Sequence, residues 1–317
     1  MCKYTAGGWF APLTAVSGKD EDMKDHCMSK EAEEHVKKKI YDIPYAGQSS
    51  SQILDLWYPN EESADPYPVI VHFHGGGFSR GGHREDSVEP MLRGIDRGYV
   101  VVSVEYRKSG EARFPAMLYD AKAAIRFLKA HAEEYRLDAD RISLWGPSAG
   151  GWIVAMAALT AGNPAFEDLS MGNAGYDSRV AAVVDWCGPC GGFLDMDAAY
   201  RREGIKGEQE HDAPDSPESE FMGAPLPHIP ELVRLASPYV YVNPDMPPFI
   251  IVHGTADRIV PVAQSVRLAD EIRRIAGEDK VELHIEQDVP HHGRVWWHED
   301  YAADICLDFL DRKLKKR

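Results

Sequence analysis

Six short runs of β-branched and apolar residues constrain this chain more than anything else in it: "VIVHFH" (69–74), "YVVVSVEY" (99–106), "ISLW" (142–145), "VAAVVDW" (180–186), "FIIVHG" (249–254) and "VELHIE" (281–286). Most of them are apolar at nearly every position rather than at every second one, so they read as strands buried on both faces. Between them lie stretches with helical periodicity, at 115–135, 149–161, 262–276 and 301–316. Strand–helix alternation of this kind predicts an α/β architecture, a mostly parallel central sheet flanked by helices. Upstream, "KKKIYDIPYA" and "SQILDLWYP" flank "GQSSS" and read as an antiparallel edge hairpin. With 317 residues, the chain has ample material for one large core.

Two stretches break the rhythm. Residues 1–38 are polar and irregular, and are expected to form an N-terminal cap or extension. Residues 187–248 are rich in Pro, Gly and acidic side chains. They are too long for an ordinary loop, and read as a lid inserted into a domain spanning 39–317.

The junction "ISLWGPSAGGWIVAMAALTA" (142–161) sets a serine between a strand and a helix with glycines on both sides. Gly-x-Ser-x-Gly in that position is a nucleophile elbow: a strained turn lifts the serine Oγ above the sheet, and the glycines avoid collisions within the turn. The plainer reading is a glycine-rich turn with an exposed serine; the position between strand and helix favours the elbow. A second glycine cluster, "HFHGGGF" (72–78), ends the first central strand. Consecutive glycines let a loop bring backbone N–H groups close to a ligand, as an oxyanion hole requires. A phosphate cradle would want a nearby Lys-Ser/Thr, and Phe78-Ser79-Arg80 does not supply it. His74 reads as a loop-ordering residue rather than a base.

A serine hydroxyl needs a base, and the base needs an orienting acid. "FIIVHGTADRIVP" sets Asp257 just past a strand, and "VELHIEQDVPHHGR" sets His291 and His292 past the next. Asp270 and Glu271 fall inside a helical pattern, and Asp288 precedes the histidines too closely. The order Ser, Asp, His, each after a strand, is the one this chemistry takes on such a sheet.

"HGGGF", "GPSAGG" and "HGTADRIVP" resemble the hormone-sensitive-lipase-like branch of α/β-hydrolase carboxylesterases, and more closely its bacterial acetyl-xylan or feruloyl esterase-like members. The resemblance covers about residues 40–310. It implies the α/β-hydrolase fold, Ser148 as nucleophile, Asp257 as acid, and His292 as base because it directly precedes Gly293; His291 is the alternative. It also implies the N–H groups of Gly75, Gly76 and Ala149 as oxyanion donors, with no cofactor and no metal. Pro147 departs from the acidic residue common in the family at that place.

The expected function is hydrolysis of short-acyl or hydroxycinnamoyl esters, such as acetyl or feruloyl esters of plant polysaccharides. The alternatives are an amidase, arylformamidase or small peptidase on the same triad, and a catalytically silent binding module. Cys187 and Trp296 are candidate pocket-lining residues, with Trp186 and Trp297 as further flat walls. Cys187-Gly188-Pro189-Cys190 has Cys-x-x-Cys spacing but no second pair, so packing is preferred to metal or redox chemistry.

Charge narrows the partners. Lys and Arg number 35 against 51 Asp and Glu, a formal net charge of −16, which disfavours nucleic acid and anionic membrane surfaces. Five scattered cysteines do not read as a disulfide framework and suit a reducing compartment, so a cytoplasmic chain is the expectation; a secreted one would need a leader removed beforehand. A small-molecule or oligosaccharide ester is the expected partner.

Overall fold

The computed structural model describes residues 27–291 and 300–315. Their strands are β1 (Lys39–Pro44), β2 (Ile53–Trp57), β3 (Tyr67–Phe73), β4 (Val100–Val104), β5 (Leu137–Pro147), β6 (Ala182–Trp186), β7 (Phe249–Gly254) and β8 (Val281–Glu286). They form one sheet in the order β1-β2-β4-β3-β5-β6-β7-β8. The predicted hairpin is present: β2 runs antiparallel to β1 and to β4. From β4 through β8 every neighbouring pair is parallel. This is the expected α/β-hydrolase sheet.

The helices are α1 (Lys30–His35), α2 (Glu89–Leu92), α3 (Ala116–Ala130), α4 (Ala149–Leu159), α5 (Met196–Glu203), α6 (Pro217–Met222), α7 (Pro230–Leu235), α8 (Ala263–Ala276) and α9 (Asp300–Leu314). Alternation along each strand sends side chains to opposite layers. Val69, Val71, Phe73, Val102, Leu144, Val183 and Ile251 face a core shared with α3, α4 and α8. Ile70, Val101, Trp145, Val184 and Ile250 face a second core shared with α2 and α9. With helices on both faces, the strands carry the near-continuous apolar runs seen in the sequence. All of α4 is buried, which explains why "WIVAMAAL" has no polar face.

Residues 187–248 fold into α5, α6, α7 and short 3₁₀ turns rather than an irregular loop. Ser216 caps α6, its Oγ accepting from Ser219 N at 3.0 Å, and Gly223 ends that helix with φ 86°. Helices of six to eight residues are not stable by themselves; this segment is fixed by aromatic packing instead. Phe221 of α6 stacks on Phe78 with ring centroids 4.4 Å apart, and both rings meet Trp152 of α4 edge-on, at 5.1 and 5.6 Å. Phe193 joins the same cluster. Truncating one of these buried rings to alanine costs about 3–5 kcal/mol.

Of the N-terminal stretch, residues 27–38 are described. Ser29 caps α1, and Val36 is buried in the second core. The rest of that expected extension lies outside the described residues. Trp186, expected as a pocket wall, is a core residue: it is 2% exposed, packs edge-on against Trp145 and directs its N–H toward Cys306 Sγ at 3.1 Å. It occupies the second-core face of β6, so its ring cannot also line a pocket at the strand end. Trp296 and Trp297 lie outside the described residues.

Candidate active site

The elbow is built by contacts that exclude side chains. Ser148 has φ 55° and ψ −121°, an unfavourable conformation for a residue with a Cβ, worth about 1–3 kcal/mol. It is clamped by Ser148 N donating to Trp186 O at 2.7 Å and Trp152 N donating to Ser148 O at 3.1 Å. A Cβ on Gly150 would collide with the Phe73 carbonyl, and one on Gly146 with the backbone of Gly150. Strand-to-helix reversal is thus compressed into a turn that holds Oγ over the end of β5.

Asp257 follows β7 and is 2% exposed. Its Oδ1 accepts from Ile259 N at 2.9 Å and Val260 N at 2.8 Å. Its Oδ2 accepts from His291 Nδ1 at 2.6 Å and faces His253 Nε2 at 3.1 Å. Burial alone would raise this carboxyl, but the adjacent His291 and the hydrogen bonds from His253 and His291 hold it well below the usual carboxylate range. Because a carboxylate only accepts, His291 Nδ1 carries the proton. Nε2 is then the acceptor, and it lies 2.9 Å from Ser148 Oγ.

The sequence reading prefers His292 as base, with His291 as the alternative. The imidazole joined to both Ser148 and Asp257 is that of His291; His292 lies outside the described residues. The register of the loop after β8 decides this. Thr255 and Ala256 at the end of β7 are stitched to it by Thr255 N to Glu286 O at 2.9 Å, Asp288 N to Thr255 Oγ1 at 2.9 Å and Ala256 N to Val289 O at 3.0 Å. Gly254 lets the two backbones approach, since a Cβ there would strike the Val289 carbonyl. That seam leaves position 291 opposite Asp257.

The "HGGGF" loop lies directly against the elbow: a Cβ on Gly75 would sit 3.1 Å from Pro147 O and 3.4 Å from Ser148 Cβ. Gly76 and Gly77 have φ 107° and 56°. His74 orders this loop, as expected. Its Nδ1 lies 2.7 Å from Gly75 O, its Nε2 lies 3.2 Å from Glu105, and Tyr106 stacks on its ring at 4.3 Å. Glu105 also meets His83 at 3.1 Å and Lys108 at 2.6 Å. Burial would raise Glu105, but the bonds from His74 and His83 and the charge of Lys108 hold it far below its ordinary value. This anionic tether was not read from the sequence. The only available signal was two histidines flanking the glycines.

Cys187 is 1% exposed, so it packs beneath the site rather than lining an open pocket. Burial and nearby Asp257 push its thiol well above the ordinary value, and burial does the same to Cys190. Both are free, and neither is poised for redox chemistry. Two groups have metal-compatible spacing among the described residues, Cys187–Asp257–His291 and Asp42–Asp55–His83. In the first, Asp257 and His291 are already bonded to each other; in the second, Arg84 pairs with both carboxylates. His253 and Ser265, behind Asp257, were also missed; a histidine inside an apolar strand was the available signal. No helix among the described residues is long and apolar enough to cross a membrane.

Comparison with known proteins bears on the family and the fold. The chain is 32% identical over 234 residues to Esterase LipQ of Mycobacterium tuberculosis, covering 73% of this chain and 52% of that protein. It is 30% identical over 243 residues to the probable carboxylic ester hydrolase LipM of the same organism, covering 76% and 53%. The chain thus spans about half the length of these curated relatives. Among solved structures, a truncated carbohydrate esterase from gut microbiota superposes with a TM-score of 0.76 at 26% identity, covering 92% of this chain and all of that one. Thermogutta terrifontis esterase 2 superposes with a TM-score of 0.64 at 25% identity, covering 86% and 92%. The BD-FAE family profile matches residues 54–272. From strand order, elbow and family match together, the chain belongs to the BD-FAE family, in the hormone-sensitive-lipase-like branch of the α/β-hydrolase carboxylesterases.

Proposed function

We propose that this protein is a serine carboxylic ester hydrolase acting on short-acyl or compact hydroxycinnamoyl esters, including acetyl and feruloyl esters of plant polysaccharides. One observation carries the reading: Ser148 Oγ, His291 and Asp257 form a continuous hydrogen-bonded chain with steps of 2.9 and 2.6 Å. As Oγ attacks the ester carbonyl, its proton passes to His291 Nε2. Asp257 holds the ring in the tautomer that can accept it, and stabilises the cation that forms. Gly75, Gly76 and Ala149 supply the oxyanion donors; their N–H groups bond to no loop or turn acceptor among the described residues. His291 then returns the proton to the departing alcohol. Water, deprotonated by the same ring, releases the acid from Ser148.

Three features support the substrate class. A carbohydrate esterase is among the structural neighbours. Residues 187–248, which act as the lid in this reading, hold no described helix longer than eight residues and so lack a long amphipathic element for a lipid surface. The net charge of −16 opposes anionic interfaces. Two measurements test the reading. Ser148→Ala should lower kcat by about 10³- to 10⁶-fold with the fold intact; a soluble variant keeping a tenth of the activity sinks the nucleophile assignment. Across p-nitrophenyl acetate, butyrate, octanoate and palmitate, and across acetylated and feruloylated oligosaccharides, kcat/KM should be highest for short or compact acyl groups. A maximum at octanoate or beyond, or activation by an emulsion, overturns the substrate class.

A further inference from the structure

Behind the acid stands a second imidazole that the proposed mechanism does not use. His253, in β7, is fully buried. Its Nε2 lies 3.1 Å from Asp257 Oδ2 and 2.9 Å from Val260 O. Both neighbours are acceptors, so Nε2 carries a proton and donates to both. Its Nδ1 lies 2.6 Å from Ser265 Oγ, on α8, and that serine is also fully buried. With Nε2 protonated, Nδ1 in the neutral ring accepts from the Ser265 hydroxyl. Asp257 Oδ2 is thus shared by two imidazoles, each backed by a serine: Ser148 and His291 on the reacting side, Ser265 and His253 on the buried side.

We propose that His253, held by Ser265, is a positioning residue that fixes the orientation and charge of the Asp257 carboxylate. The inference rests on the ester-hydrolase reading. Two backbone donors immobilise Oδ1, but they leave the carboxylate free to pivot about that oxygen. The His253 N–H removes this freedom by claiming one lone pair of Oδ2, so that the other stays aimed at His291 Nδ1. The same donor spreads the negative charge. Without it the carboxylate holds a proton on His291 more strongly, raising the fraction of imidazole unable to act as base at a given pH. Loss of His253 therefore has two signatures: a lower turnover rate, and an acid limb of the rate profile displaced to higher pH.

The test uses full-length wild type, His253→Phe, His253→Gln and Ser265→Ala, with active sites counted by stoichiometric fluorophosphonate labelling. Hydrolysis of p-nitrophenyl acetate is then followed from pH 4 to 9. Per labelled site, His253→Phe should lose about 10- to 100-fold in kcat, with KM changed no more than about threefold. Its acid limb should rise by about half to one pH unit. His253→Gln keeps an amide donor and should recover most of the rate and return the limb toward wild type. Ser265→Ala should lose about three- to fivefold, with a smaller upward shift. If labelled His253→Phe turns over like wild type with an unmoved limb, the proposal is overturned. If His253→Phe does not fold, Ser265→Ala decides: a wild-type rate and limb overturn it. A wild type that neither labels nor hydrolyses the ester overturns the enzyme reading instead, so the two failures are distinct.

Discussion

Two buried aspartates at neighbouring strand ends behave in opposite ways. Asp185 lies in β6 and Asp257 just beyond β7; they are 0% and 2% exposed. Asp185 accepts one backbone bond, from Gly188 N at 2.9 Å, and its Oδ2 has no hydrogen-bond partner among the described residues. Burial pushes it up to about 6, with the Cys190 thiol and the Gly188 N–H only partly offsetting the shift. Asp257 meets four donors and is held far down. Burial opposes both charges; the adjacent His291 and the hydrogen-bond donors around Asp257 decide that its charge survives. An aspartate after an apolar strand is thus no acid of a triad until its donors are found, and only the β7 end supplies them.

The sharpest challenge to this contrast is the base that Asp257 serves. His291→Ala should lower kcat by about 10³- to 10⁶-fold, while His292→Ala stays within about tenfold of wild type. Reversed ranks would move the imidazole partner of Asp257 to the neighbouring residue and break the comparison at its centre. Next in size, Asp257→Asn should cost about 10³- to 10⁴-fold in kcat by disrupting the imidazole tautomer, whereas Asp185→Asn should keep activity within about threefold. Comparable losses in both would show that the β6 end also serves the chemistry.

A third expectation concerns pH. Asp257 is depressed, so it stays ionised through the acid range. The stability it contributes is present above the unfolded carboxyl value of about 3.9 and is lost as pH falls through its lower folded value. The acid limb of kcat/KM should therefore report one proton, that of the base alone. A two-proton limb would place the Asp257 titration inside the working range. The smallest effect is on stability. Asp185 is raised, so the fold prefers it protonated; its cost is absent below about pH 4, grows toward its folded value, and is constant above. Asp185→Asn should stabilise the protein by about 1–3 kcal/mol at pH 8 and by little at pH 4, measured by urea unfolding. An equal effect at both pH values would show that ionisation of Asp185 is not what separates the two sites.

Much of this is legible in the sequence, for identifiable reasons. Buried parallel strands must be apolar throughout, so β3 to β7 are legible, while the edge strand β8 alternates and is only partly buried. The elbow needs glycine where Gly146 and Gly150 stand, and Asp257 follows its strand in the required order. Sequence alone does not separate His291 from His292, because adjacent imidazoles differ only in the loop's register, set by contacts between Val289 and the end of β7. Short α5, α6 and α7 carry too few residues for periodicity; Phe221 and Phe193 fix them through partners distant in sequence. Trp186 looked like a pocket wall because a strand end is equally near the core and the cleft; only its partners Trp145 and Cys306 tell which.

The Phe78–Phe221 stack has a consequence for engineering. Phe78 belongs to the glycine loop and Phe221 to α6, within residues 187–248. Chimeras that exchange residues 187–248 for a relative's equivalent stretch, in search of a new specificity, would remove half of this stack and loosen the glycine loop. The glycine loop and residues 187–248 pack as a single module and should be transplanted together, with Trp152 as the receptor site that both must match.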